Sequence, residues 1–291
     1  MKAMNGSVRA WHKRAMDYRL DQRSLALRHT AVKVLACARR GHIGSTLSLM
    51  EILRVLYDGI LRFDPAHPDW KDRDRCILSK GHGCVALYVL LAEKGYFPEI
   101  ALWRFCRHDS LLGGHPDATK IPGVEASTGS LGHGLSIGLG MALAIRHYPS
   151  NPRIFVILGD GECNEGAVWE ACLSAGNQGA DNLTLIVDYN KYQSYDATCV
   201  VQDLEPLEDK FRSFGLSVRH VNGHDVNGLR EVLATVPFEP RKPSAVICHT
   251  VKGKGISFAE NNLEWHHKSS ISEQMTVDMM AALGGSCAKN V

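Results

Sequence analysis

The stretch Gly159-Asp160-Gly161-Glu162-Cys163-Asn164-Glu165-Gly166 constrains the fold more than any other part of the chain. Before it, Arg153 to Leu158 is an apolar, β-branched run of the kind buried on both faces of a parallel sheet. After it, Ala167 to Gly176 carries apolar and small residues at helical spacing (Ala167, Val168, Ala171, Cys172, Ala175). The motif therefore lies on the turn from the carboxyl end of a strand into a helix, where open α/β sheets bind their ligands. Gly159 and Gly161 let the main chain approach a ligand that side chains would hold off. One carboxylate, Asp160, is too little for a hard cation such as Mg²⁺. Further oxygens are required, from Asn190 after the next strand, a backbone carbonyl and a diphosphate. In isolation, a simple turn and an unrelated Asx turn at Asn190 explain the same residues.

The same alternation of strand, glycine and helix recurs along the chain. Cys76–Ser79 reads as a short strand running into Lys80-Gly81-His82-Gly83 and a helix over 84–94. Strands over Leu183–Asp188, Ser217–Val221 and Ala245–Thr250 alternate with helices over 204–214 and Val226–Val236. Asp225 is equally an N-cap of the latter helix and a site residue, and no catalysis is assigned to it. A long helical region over 8–39 stops at Arg39-Arg40-Gly41, a basic last turn followed by glycine. Other helices are read over Leu49–Ile60, near 98–107, over Leu135–His147 and over 272–283, before a polar tail. This pattern predicts an α/β fold, a doubly wound, mainly parallel sheet flanked by helices, with an N-terminal helical arm. Residues 1–291 are read as one domain.

Three glycine-flanked histidines precede the Asp160 motif: Gly41-His42, Gly81-His82-Gly83 and Gly114-His115-Pro116. Pro116 restrains the chain after His115. A lone loop histidine is more often a cap or core residue, but three in such settings are hard to explain as packing. Imidazoles donate to phosphate and move protons near neutral pH. The glycine-rich loop Ser127 to Leu135 runs into a helix whose Gly134, Gly138 and Ala142 permit close packing. The basic loop Val251-Lys252-Gly253-Lys254-Gly255 suits either phosphate, through backbone N–H groups and lysine, or solvent.

Gly-Asp-Gly followed about thirty residues later by Asp188-Tyr189-Asn190-Lys191 resembles the thiamine diphosphate signature. With Glu165-Gly166, Trp169-Glu170-Ala171, Gly-His-Pro at 114–116 and Glu264-Trp265-His266-His267, the chain is similar to the transketolase family over roughly residues 20–270. That resemblance implies thiamine diphosphate as cofactor, with Mg²⁺ or Ca²⁺ held by Asp160, the Asn190 side chain and the Tyr192 carbonyl. It implies that the aminopyrimidine ring meets the main chain of Gly129 and Leu131, with Ser130 between them. Gly161, Glu162, His82, Asn190 and His266 complete the implied cofactor contacts. His42, His82, His115 and His266 carry proton transfer and orientation, and Glu165 reaches an activating glutamate on a partner chain. Two departures stand out: His133, where many members carry glutamine, and Gln193 to Ala197, which lacks the usual Asp-Gly.

The family's pyrimidine-binding and C-terminal domains have no counterpart in this sequence. The resemblance therefore implies the N-terminal subunit of a split transketolase, joined to a C-terminal subunit, with an α2β2 assembly following from the family dimer. The implied reaction transfers a two-carbon ketol unit between sugar phosphates. Alternatives are a deoxyxylulose-phosphate synthase-like or 2-oxoacid dehydrogenase α-subunit-like enzyme, or a non-catalytic regulatory subunit. The net charge of +2 gives no basic field for nucleic acid. No apolar run reaches membrane-spanning length, and the N-terminus lacks a signal-peptide core. Nine cysteines, an odd number without a Cys-x-x-Cys pair, argue for reduced thiols and a cytoplasmic setting.

Overall fold

The computed structural model describes residues 6–284; the polar tail and Cys287 lie outside them. Five strands, β1 (Arg75–Leu78), β2 (Ile154–Gly159), β3 (Leu183–Tyr189), β4 (Ser217–Asn222) and β5 (Ser244–His249), form one sheet in the order β1-β2-β3-β5-β4. Every pairing is parallel. Because side chains alternate along a strand, each strand feeds two cores. Phe155, Ile157, Ile186 and Val246 face one cluster, and Ile154, Val156, Leu158, Leu185 and Ile247 the other. Both faces are apolar, as helices on both sides demand.

The helices are α1 (Gly6–Asp17), α2 (Gln22–Ala38), α3 (Ile43–Ser48), α4 (Met50–Val55), α5 (Cys84–Glu93), α6 (His133–Ile145), α7 (Gly166–Asn177), α8 (Thr198–Val201), α9 (Leu207–Ser213), α10 (Val226–Ala234) and α11 (Glu273–Ala282). Three sequence expectations need correction. The helical region over 8–39 is two helices, because the Asp21 side chain accepts the Ser24 N–H at 2.8 Å and caps a fresh start. The expected helix Leu49–Ile60 is instead α4 followed by one π turn, Leu56–Ile60. The stretch near 98–107 is a 3₁₀ segment, Glu99–Arg104.

Close packing along α6 is as its small residues imply. A Cβ at Gly134 would overlap Ser79, and one at Gly138 would overlap Val156 of β2. Asp225 is the N-cap of α10, accepting from the N–H groups of Asn227 and Gly228. The neighbouring His224 is buried and donates from Nδ1 to Glu51 Oε2 at 2.8 Å, while its Nε2 accepts the Val251 N–H at 2.9 Å. Glu51 in turn pairs through both oxygens with the buried Arg28. Burial acts to raise the Glu51 carboxyl, but Arg28 and His224 hold it far below the usual carboxylate range. This network joins α2, α4, the turn before α10 and the basic loop after β5.

Candidate active site

The site stands at the carboxyl ends of four adjacent strands, the position where parallel sheets gather ligand-binding loops. Lys80 to Gly83 follow β1, Asp160 follows β2, Asn190 follows β3 and Lys252 follows β5. Above these ends the histidines converge. The His42 ring lies 5.2 Å from His82, 6.3 Å from His115 and 5.5 Å from His266. His82 and His266 are 5.9 Å apart. A fifth imidazole, His267, lies 4.5 Å from His42 and was not singled out by its sequence position. It arrives there because Gly41 and Lys268 form an antiparallel bridge, which sets residues 42 and 267 opposite each other.

Burial, and then the charges of neighbouring imidazoles and lysines, push His42 down to about 4. Burial and then Lys252 push His266 down to about 3, and burial holds His82 well below the ordinary histidine range. His115 is also lowered by burial. All four rings are therefore neutral at pH 7 and able to accept a proton. The sign for stability follows directly. Between the unfolded value, about 6.5, and these lower folded values, the unfolded chain binds more protons, so stability falls as pH falls. The urea midpoint is expected to drop between pH 7 and pH 5, and to drop less in a His42→Asn/His82→Asn double variant. Equal slopes for the two proteins would overturn this account.

Beneath the histidines lies a buried polar floor. Lys80 Nζ donates to Asp188 Oδ2 at 2.6 Å, and Ser48 Oγ donates to the same oxygen at 2.5 Å. Asp160 is 2% exposed; its oxygens accept from the N–H groups of Gly161 (2.9 Å) and Lys191 (2.6 Å) and from Thr198 Oγ1 (3.2 Å). Burial and the Asp188 charge raise its carboxyl above the usual range, with Lys80 and Lys252 opposing them. Asn190 Oδ1 accepts the Tyr192 N–H at 3.1 Å. Lys252 Nζ donates to the carbonyls of Tyr192 (3.0 Å) and Gln193 (2.9 Å). Lys254 turns away and donates to Met16 O at 2.7 Å, so only one lysine of the basic loop serves this site.

The other expected residues divide into two groups. The Gly129 backbone has φ +141°, and a Cβ there would strike the His115 ring at 2.9 Å. Ser130 is exposed, Leu131 is half-buried beside it, and Gly161 lies under the Gln193 side chain. Glycine at the two positions 129 and 161 is required by the close approach of His115 and Gln193, each of which would meet a Cβ at 2.9 Å. Glu162, by contrast, is buried and spent inside the chain, accepting from Ser79 Oγ (2.5 Å), Gly132 N (2.9 Å) and Gly159 N (3.1 Å). It ties the glycine-rich loop to the Asp160 turn. Glu165 is exposed at the start of α7, outside the imidazole cluster. The loop Tyr192–Ala197 closes on itself with a bridge between those two residues. It brings Ser194 Oγ to 3.2 Å from His266 Nε2, a contact no sequence signal announced.

The donor set suits a diphosphate with a hard divalent cation. A buried carboxylate, an amide oxygen and a main-chain carbonyl are available, and the Lys252 ammonium already answers that carbonyl. Among the described residues no group of three or more His, Cys, Asp or Glu could hold a metal alone, so the diphosphate itself would have to supply oxygens. A parallel α/β sheet with these features defines a diphosphate-cofactor domain. Residues 21–290 match the family model for the transketolase thiamine diphosphate binding domain. The chain belongs to the transketolase family. It is 42% identical over 245 residues to a 6-deoxy-6-sulfo-D-fructose transketolase chain of Clostridium sp. (strain MSTE9), named as one subunit of that enzyme, covering 84% of this chain and 88% of that one. It is 42% identical over 251 residues to one of the named subunits of the apulose-4-phosphate transketolase of Actinobacillus succinogenes, covering 86% and 90%. The transketolase structure from Leishmania mexicana superposes with a TM-score of 0.84 at 30% identity, over 92% of this chain and only 41% of that one.

Proposed function

We propose that this chain is the diphosphate-binding half of a two-chain, thiamine diphosphate-dependent transketolase that moves a two-carbon ketol unit from a ketose to an aldose. The observation carrying the reading is the convergence of His42, His82, His115 and His266 over the strand ends that carry Asp160, Asn190 and Tyr192, with Ser194 of the Tyr192 loop in contact with His266. The chain matches nearly the full length of relatives named as subunits, yet about two-fifths of a whole transketolase. This supports a partner subunit that brings the pyrimidine-binding half, in an α2β2 assembly. The relatives' names, a sulfosugar and a sugar phosphate, favour an anionic sugar as substrate.

When bound, the cofactor would supply an electron sink for a carbanionic carbon. In this reading Asp160, Asn190 and the Tyr192 carbonyl hold Mg²⁺ or Ca²⁺. His42, His82, His115 and His266 orient the sugar and accept or return its hydroxyl protons. Gly129, Ser130, Leu131 and Gly161 give the main-chain surface for the cofactor. Glu165, free at the surface, is the group that would meet the partner's carboxyl across the interface. Among the described residues no helix is long and apolar enough to cross a membrane, and the described cysteines are free thiols. The free thiols fit a reduced, cytoplasmic setting.

The test is ketol transfer from xylulose 5-phosphate to ribose 5-phosphate with thiamine diphosphate and Mg²⁺, by this chain alone and with its companion chain. Activity is expected only in the mixture. Pyruvate decarboxylation in its place would overturn the reading. Ser194→Ala is expected to lower kcat about threefold to tenfold, the worth of one hydrogen bond, with cofactor affinity unchanged and Ser194→Thr restoring the rate. Equal loss in the threonine variant would mean that the loop, and not the hydroxyl, matters.

A further inference from the structure

The short ladder that frames the imidazoles carries a cation for which the proposed chemistry has no use. Gly41 and Lys268 exchange hydrogen bonds of 2.9 and 3.0 Å, N–H to carbonyl in both directions. Side chains alternate along such a ladder, so Arg40 and His42 share one face and are opposed by Ser269 and His267. The 4.5 Å contact between the His42 and His267 rings identifies that face as the one turned to the site. Arg40 is exposed, and its guanidinium makes no hydrogen bond or ion pair among the described residues. By contrast Arg54 and Arg73 are each tied to a carboxylate.

The charges around Arg40 agree with this placement. Its charge acts on the His267 imidazole and on the Cys106 thiol. Cys106 packs against Gly114, since a Cβ there would lie 3.5 Å from Cys106 Sγ, and Gly114 adjoins His115. Arg40 therefore belongs to the His42–His267 face of the cluster. A planar guanidinium with five donors matches a tetrahedral oxyanion in a bidentate fork. An adjacent exposed imidazole adds a further donor. Being exposed, the pair suits the end of a substrate that stays near solvent while the carbonyl end lies among the half-buried rings of His42, His82 and His266.

We propose that Arg40, with His267 beside it, binds the terminal tetrahedral oxyanion, phosphate or sulfonate, of a sugar substrate, so that this chain takes part in substrate selection. The proposal rests on the ketol-transfer reading above. In the assembled two-chain enzyme, KM would be compared for glyceraldehyde 3-phosphate and glyceraldehyde as acceptors, in the wild type, Arg40→Gln and Arg40→Lys. Arg40→Gln is expected to raise KM for the phosphorylated acceptor about tenfold to a hundredfold, the range for charge-assisted hydrogen bonds. The unphosphorylated acceptor should be unaffected, and Arg40→Lys should fall between. Equal changes on both acceptors, or none on either, would overturn the assignment.

A second measurement does not depend on turnover. On the isolated chain, the His267 ring signals would be followed by NMR during titration with inorganic phosphate and, separately, methanesulfonate. Saturable shifts in the wild type that vanish in Arg40→Gln support the site, and the anion that produces them identifies the group it takes. Identical shifts in the variant mean an adventitious ion only and sink the proposal. If the wild-type assembly transfers no ketol unit to either acceptor, the functional reading falls, and this titration still decides the role of Arg40.

Discussion

Asp160→Asn is expected to remove metal-dependent thiamine diphosphate binding by the assembled protein, with a loss above about 100-fold, more than outer-shell changes cost at metal sites. Asparagine keeps the shape and one acceptor oxygen for the Lys191 N–H, but not the charge. The charge matters because the carboxylate is buried beside Asp188, an arrangement that raises its proton affinity and that Lys80, Lys252 and the Gly161 N–H offset only in part. A divalent cation bound there would supply the missing compensation, with the Asn190 amide oxygen and the Tyr192 carbonyl as further ligands. The measurement is a cofactor titration with Mg²⁺ and again with EDTA, with the thermal midpoint as a check on folding. Affinity equal to wild type in Mg²⁺ would end the metal assignment.

Glu51→Leu is expected to cost about 3–5 kcal/mol of folding stability, since it strands a fully buried guanidinium. That is a large part of the 5–15 kcal/mol or so that holds a typical domain together. Arg28→Met combined with Glu51→Leu should recover much of the loss, because an apolar pair of similar volume carries no uncompensated charge. Urea unfolding of the two variants decides the matter. A single variant within about 1 kcal/mol of wild type, or a double variant worse than the single, would show that the pair is not the stabilising unit. The change should also loosen Val251, whose N–H is held by the Glu51-oriented His224, and with it the Lys252 loop.

Legibility in the sequence followed physical locality. The turn at Asp160 could be read because a buried strand, two glycines and a helix stand next to one another in the chain. The Asp225 cap was one of two readings for the same reason. The break between α1 and α2 leaves little mark on the sequence pattern, because only four residues, 18–21, separate the two helices. From Ile43 to Tyr57 every residue is buried, so no polar face remained to reveal period or phase.

The histidines were legible singly, from their flanking glycines, but not their convergence, which depends on the sheet order. Ser194 and His266 are 72 positions apart, and Lys80 and Asp188 are 108 apart. Nothing local marks either pair. Glu162 illustrates the opposite difficulty: a residue inside the motif that the fold turns inward, to hold the glycine-rich loop rather than a ligand.

The strand order has a consequence for how the protein is made. Ser244–His249, the last of the described strands to be synthesised, enters between two strands that already exist. Until it leaves the ribosome, Leu183–Tyr189 has one open edge, and Ser217–Asn222 has no partner in the sheet. The open edge runs along Leu185, Ile186 and Val187, an apolar template for pairing with other nascent chains. A ribosome that stalls before Ser244 would therefore hold an aggregation-prone half-sheet for a chaperone to shelter. Lys252 emerges a few residues behind the strand that closes that edge, so the nascent protein sheds its hazard and completes its ligand floor in the same few codons.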